Sequence, residues 1–280
     1  MPCLLKELSR QNIIYLKTKG LPSQEGLFVG RTFIFGFLTL NMQVNTKAIV
    51  LSAIKYGDTS LIVKTYTASS GVKTYMLRGV LASRKGKLKP AYFQPLTQLE
   101  IVANHKDKGT LESIKEVKVS YQYQSIATSV IKNSVTLFLA EMLSHSLLEE
   151  EVNKPLFNFL EASLQWLDTH DDISNFHLFF LLQLTRYLGF YPDTADMALE
   201  YFDLQEGVFC SRAPLNPVIC DKPLGYFRQF LGTNFEALHT IKMNKSTRQE
   251  LLKGIILYYE LHLQGFRKPK SLEVLNQIFS

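Results

Sequence analysis

Cysteine is scarce and poorly placed for chemistry. The 280 residues contain three, Cys3, Cys210 and Cys220, with no C-x-x-C pair among them. Three thiols cannot build the disulfide framework of a small secreted domain, so the usage points to a reducing compartment and a cytoplasmic protein. Cys210 and Cys220 have no neighbouring histidine to complete a tetrahedral set, and no metal site is expected there. The histidines are scattered; His170, Asp171, Asp172 and His177 cluster in sequence, but the two aspartates are explained as capping groups at a helix start. The chain also lacks a G-x-S-x-G elbow, a phosphate-binding P-loop and a G-x-G-x-x-G turn, so hydrolase, nucleoside-triphosphatase and dinucleotide chemistry have no motif to rest on. Nor do carboxylates pair in sequence for acid–base work. The longest apolar run, Leu27–Leu40, is broken by Arg31, Thr32 and Gly36 and is too short to span a bilayer. These absences point to a binding protein without enzymatic activity or cofactor.

What is present is an uneven charge. The formal net charge is +6, yet residues 42–120 hold 13 Lys and Arg against 5 Asp and Glu, a net of +8. Residues 121–280 hold 13 against 18, a net of −5. One half of the chain is therefore suited to a polyanion and the other is not.

The basic half is also the β-rich half. Three runs of β-branched and aromatic residues, Lys47–Lys55, Leu61–Tyr66 and Val72–Arg78, are separated by Tyr56-Gly57-Asp58 and Ser69-Ser70-Gly71, the composition of consecutive hairpins. Two further strands are expected at Gln98–Ala103 and Thr110–Val119. Five short strands with a longer excursion between the third and fourth predict a five-stranded Greek-key barrel, the OB-fold, over 42–120; an SH3-like barrel is the competing small architecture. After Gln124 the apolar period becomes helical. Ile126 to Leu148, a helix entered at Pro155, and a very apolar one from Ile173 to Leu188 stopped by Gly189 make a mostly α-helical domain over 121–280. Residues 193–224 read as an irregular insert, followed by helices over Pro223–Gly232, Asn234–Ile241 and Ser246–Gln264 and a short last one ending at Phe279. The fold class is thus α+β. Residues 1–41 match neither pattern, and because Met42 stands just before the first strand they read as an upstream extension of the reading frame.

The third strand empties into a loop, Leu81–Pro90, in which Arg84, Lys85, Lys87 and Lys89 surround Gly86. In most proteins such a cluster is a solvated surface loop. Here it follows a strand of a small barrel, the barrel is net basic, and Tyr75, Tyr92 and Phe93 lie beside the charge. Single-strand binders combine a cationic path for phosphates with aromatic platforms for bases. Arg78, Lys106 and Lys108 extend the basic set, while Tyr75 and Tyr92 are either platforms or core.

Read in order, several stretches carry a family likeness. They are Lys47-Ala48-Ile49-Val50-Leu51, the Tyr56-Gly57-Asp58 turn, Gly71, and the run from Arg78-Gly79 through the basic residues to Gln94-Pro95-Leu96. Leu139-Ala140-Glu141-Met142-Leu143, Leu156-Phe157, Leu188-Gly189-Phe190-Tyr191-Pro192 and Lys270-Ser271 continue it. From Met42 to Phe279 the chain resembles RecO, a family of bacterial recombination mediators. The resemblance implies a DNA repair and recombination protein, non-enzymatic and cytoplasmic at the nucleoid. It implies single- and double-stranded DNA, RecR and SSB as partners, strand annealing, and a functional link to RecA loaded onto SSB-coated strands. It also implies no membrane partner. Many members carry a four-cysteine zinc motif where this chain has only Cys210 and Cys220, so no zinc is expected, and no residues are assigned to the SSB tail. A protein–protein adaptor and an RNA-binding OB module remain the alternatives.

Overall fold

Strand β1 (Met42–Tyr56) is long enough to serve two neighbours. The computed structural model describes residues 42–82, 87–106, 111–148 and 151–279, and the reading of residues 1–41 as an extension lies outside them. The first half of β1 pairs antiparallel with β4 (Gln98–His105) and the second half with β2 (Ser60–Thr67). Hairpins then add β3 (Gly71–Leu77) to β2 and β5 (Ser113–Val119) to β4, giving the order β3-β2-β1-β4-β5. The two edges meet at one parallel bridge between Tyr75 and Glu112: the Met76 and Thr74 backbone each share a 2.9 Å hydrogen bond with Glu112. This is the OB-fold arrangement expected from the sequence, with a minimal seam between β3 and β5.

The run Ala48-Ile49-Val50-Leu51 explains why barrel and helices stay together. All four residues are buried, although a strand shows alternate residues to opposite faces. Ala48 and Val50 enter the barrel core with Val63, Tyr75, Leu99 and Ile101. Ile49 and Leu51 face outward and join Tyr66, Val72 and Leu96 in the core of the helical part. A bulge between Val50 and Ser52 resets the register after this run, so Ser52 pairs with Lys64. Each such side chain contributes about 1.5–3 kcal/mol when fully buried, so the apolar seat outweighs any single polar contact across the junction.

Polar contacts fix the angle. Helix α1 (Val130–Ser146) starts at Ser129, whose hydroxyl accepts from Lys132 N–H, and ends over β2. There the Lys64 ammonium donates to Ser144 O at 2.6 Å and Leu147 O at 3.0 Å, which supplies both partners and charge for the helix end. The linker from β5 is held as firmly. Asp168, near the end of α2 (Lys154–Thr169), accepts from the backbone N–H groups of Gln124, Ser125 and Ile126 at 2.8–3.1 Å. Buried Lys132 donates to Ser125 Oγ at 2.7 Å and to Asp168 O at 3.0 Å. Desolvation would raise the Asp168 carboxyl, but the three N–H donors and the Ser125 hydroxyl hold it below its ordinary value.

Helix α2 is capped by Asn153, which accepts from Leu156 N–H at 2.9 Å. Helix α3 (Phe176–Leu188) is buried along most of its length and is central, as its composition predicts. Gly189 ends it at φ 83°, a left-handed conformation suited to glycine, with its N–H donating to Thr185 O. Helices α4 (Asp221–Leu231), α5 (Lys245–His262) and α6 (Leu272–Ile278) complete the layer. Among the described residues no helix is long and apolar enough to cross a membrane.

Three expectations need correcting. The irregular insert contains a small antiparallel sheet in the order β7-β6-β8, made of β6 (Tyr201–Asp203), β7 (Val208–Cys210) and β8 (Val218–Cys220). The helix expected over Asn234–Ile241 is one 3-10 turn, Leu238–Thr240. Asp171 and Asp172 do not cap α3, which starts at Phe176. Asp172 instead pairs with Lys242 at 3.3 Å, and Asp171 approaches Lys132 at 3.7 Å.

Replacing Asp168 with Ala leaves three backbone N–H groups without an acceptor, and we expect urea denaturation to show a loss of about 3 kcal/mol. Asp168→Asn keeps one acceptor oxygen and should lose less; equal stability of Ala variant and parent would show that the linker does not depend on the carboxylate.

A second prediction concerns acid. His177 on α3 is fully buried; desolvation first, and then the Arg248 charge, lower its pKa to about 3 from the ordinary 6.5. The unfolded chain therefore binds a proton that the folded chain refuses, and this contribution to stability is complete above pH 6.5 and lost as pH falls toward 3. Between those limits the parent should lose up to about 1.4 kcal/mol per pH unit more than His177→Leu, measured by chemical denaturation at a series of pH values. Parallel profiles for the two proteins would contradict this.

Candidate nucleic-acid interface

Several barrel cations are already engaged within the protein. Lys47 pairs with Glu161 at 2.9 Å, Lys118 with Glu100 at 3.5 Å, and Lys64 caps α1. Lys115 donates to the Gln43 side chain at 2.8 Å. The net of +8 therefore overstates what a polyanion would meet. Among the described barrel residues, Lys55 at the end of β1 and Arg78, Lys89 and Lys106 are exposed and have no carboxylate partner. Lys87 reaches Glu116 at 4.0 Å, but both side chains are largely in water, and such a pair contributes about 0–1 kcal/mol and can be exchanged for a phosphate. Arg84, Lys85 and Lys108 lie outside the described residues.

The seam between β3 and β5 places the exposed cations. Lys106 N–H donates to both carboxylate oxygens of Glu112 at 3.0 Å, which ties the base of the β4–β5 loop to the bridge. From that bridge the two edges run parallel: three residues on along β3 is Arg78, and four residues on along β5 is Glu116 with Lys87 beside it. Lys89 follows two residues later, at the start of the 3-10 helix Pro90–Phe93.

Of the two aromatic candidates, the structure removes one. Tyr75 has no exposed surface, and its hydroxyl shares a 2.9 Å hydrogen bond with His105 Nε2. Desolvation, and then the Glu112 charge, push its phenol above the ordinary value. It is a core residue and cannot stack on a base. Tyr92 is half-buried on the 3-10 helix and lines a groove of about 480 Å³ between the barrel and α1. The groove also exposes Tyr121, which sequence reasoning missed because the linker shows no period and no charge. The Tyr121 ring is braced edge-on against Tyr123 at 5.5 Å, and the Tyr123 hydroxyl donates to Leu96 O at 2.8 Å.

Sequence comparisons agree with this architecture. Residues 42–123 match the family described as Recombination protein O N terminal, and residues 127–273 match Recombination protein O C terminal. The chain is 55% identical over 238 residues to the DNA repair protein RecO of Christiangramia forsetii, covering 85% of this chain and 100% of that protein. It is 48% identical over 241 residues to the DNA repair protein RecO of Flavobacterium psychrophilum and 39% identical over 242 residues to that of Bacteroides fragilis, with the same coverage. The chain belongs to the RecO family. It is thus a member of a family of DNA repair proteins.

Zinc binding in this RecO-family chain is a separate question, and the residues do not fit it. Cys210 and Cys220 are both paired with Tyr201, on opposite sides of β6, so two strand spacings of about 4.8 Å each separate their backbones. Desolvation raises both thiols, with the Asp203 charge adding for Cys210 and the Asp221 hydrogen bond for Cys220. Thiols on backbones this far apart do not form half of a tetrahedral site. Among the described residues no group of three or more His, Cys, Asp or Glu could hold a metal ion. We expect Cys210→Ser with Cys220→Ser to melt close to the parent and a chelator to leave both melting curves unmoved; failure of the double variant to fold would show a structural metal, whose binding energy is folding energy.

Proposed function

We propose that this chain binds DNA through the basic rim of its barrel and acts, without catalysis, as a recombination mediator. Binding neutralises phosphates, so two strands that otherwise repel can be brought together and annealed. With RecR, the bound protein helps RecA load onto SSB-coated single strands in the cytoplasm, at the nucleoid. The observation that carries the reading is the line of Arg78, Lys87, Lys89 and Lys106 along the β3–β5 seam, left available when neighbouring lysines are tied up. Arg84, Lys85 and Lys108, adjacent in sequence to these residues, belong to the proposed DNA-contacting set.

The test is the salt dependence of single-strand binding. Affinity should fall by about 0.7 decade per decade of salt for each phosphate neutralised. Arg78→Glu with Lys87→Glu should flatten that slope by roughly one to two units and weaken all sequences about equally. Stability should change by no more than about 0.5 kcal/mol, because both side chains are exposed. Annealing should fall in parallel. An unchanged slope in the folded variant would place the strand elsewhere, structured RNA outcompeting single-stranded DNA would favour an RNA-binding module, and no binding by the parent would favour a protein adaptor.

A further inference from the structure

Phosphate contacts position a strand, but the seam offers no surface for its bases, since Tyr75 is buried. The groove between the barrel and α1 offers one. Resting on the DNA-binding reading above, we infer that this groove takes unpaired bases of a single strand whose phosphates lie on Lys87 and Lys89.

The chemistry of the lining selects that occupant. Tyr92 and Tyr121 contribute two half-buried rings, Pro95 and Leu137 contribute apolar wall, and Gln122 and Asn133 carry exposed amides that bond to none of the described residues. Among the described residues no Asp, Glu, Lys or Arg lines the groove, so a charged peptide tail would find no partner for its charge among them. A base is neutral, has an aromatic face to stack, and has edges that amides can donate to and accept from. The volume of about 480 Å³ lies within the range of small-ligand sites.

Continuity with the cations is built into the backbone. Tyr92 N–H donates to Lys89 O at 3.0 Å, so one 3-10 turn, about 6 Å, separates the ammonium-bearing residue from the ring. A nucleotide with its base against Tyr92 therefore has its phosphate within reach of Lys89. Tyr121, which lines the same groove, is pre-set: Tyr123 braces the ring, and the Tyr121 hydroxyl lies 3.4 Å from the Asp168 carboxylate that clamps the linker. The rival surface for bases is the open outer face of the barrel, where Ile54, Ile62 and Met76 form a cross-strand row beside exposed Tyr56. That row has no amide, and none of its residues is tied to Lys89 as Tyr92 is.

The test uses the full chain, fluorescent oligo(dT), and an abasic oligonucleotide of the same length. Tyr92→Ala and Tyr121→Ala should each weaken oligo(dT) binding about tenfold. Binding to the abasic strand and the salt slope should stay as in the parent. Oligo(dT) binding equal to the parent in the folded variants would overturn the groove assignment while leaving the seam reading intact. Equal weakening on both strands would also overturn it, because it would show that the rings act through the fold. If the parent bound neither strand, the DNA-binding reading itself would fail. Because Tyr92 also packs on the barrel core, a second measurement needs no substitution: photocross-linking with 5-iododeoxyuridine should label Tyr92 or Tyr121. Adducts confined to Tyr56 would place the bases on the outer face and overturn the inference.

Discussion

The organisation of this protein depends on one strand that has to be buried on both faces. Ala48-Ile49-Val50-Leu51 presents apolar side chains alternately inward and outward, and a barrel alone can bury only half of them. The outward pair, with Tyr66 and Val72 on the neighbouring strands, demands a second layer, and α1 supplies it. The helical layer therefore completes the barrel's own packing and is not a separate body on a tether. The same requirement explains the hydrogen-bonded linker. Once the two layers share a core, the chain between them has a single path, and its backbone groups need fixed partners that Asp168 and Lys132 provide.

This packing decides where the protein can meet DNA. OB-folds often use the outer face of the sheet for nucleic acid. Here the row Ile49–Tyr66–Val72 on that face is under the helices, and the next row places Lys64 into the end of α1. Desolvation lowers the Lys64 ammonium there, so a charge that counts toward the basic net is spent on structure. Apart from Lys55 at the end of β1, the described cations that remain available lie at the seam and in the loop after β3.

Much of this was legible in the sequence, because alternation and turn residues report directly on strands. The four buried residues of β1 read as a short continuous apolar run, the pattern of a strand covered on both sides. Helical period and punctuation likewise located α1, α2, α3 and α5. The three-residue strands β6, β7 and β8 were not legible, since three residues cannot display a period and prolines and glycine surround them. Tyr75 was undecidable for a different reason. Both faces of β3 carry mixed chemistry: Lys73, Tyr75 and Leu77 point inward, and Val72, Thr74 and Met76 outward, so parity could not assign the ring. Asp171 and Asp172 have the composition of a cap, yet their partners, Lys132 and Lys242, come from distant helices and loops, which local sequence does not encode.

The electrostatics and the packing lead to one division of labour. Charge is exposed where water already reaches, along Arg78, Lys87, Lys89 and Lys106, and in the proposed complex a phosphate would replace solvent or a weak ion pair there at little desolvation cost. The groove beside them is built from neutral polar and apolar side chains, so it can shed water without stranding a charge. Placing cations inside the groove would have lowered their usefulness, as burial already does to Lys64. Separating the two chemistries by one 3-10 turn would let the same nucleotide satisfy both in the proposed complex. In the proposed complex it would also make the rigidity of the linker functional, because Asp168 and Tyr123 hold the chain that carries Tyr121 into the groove it shares with Tyr92.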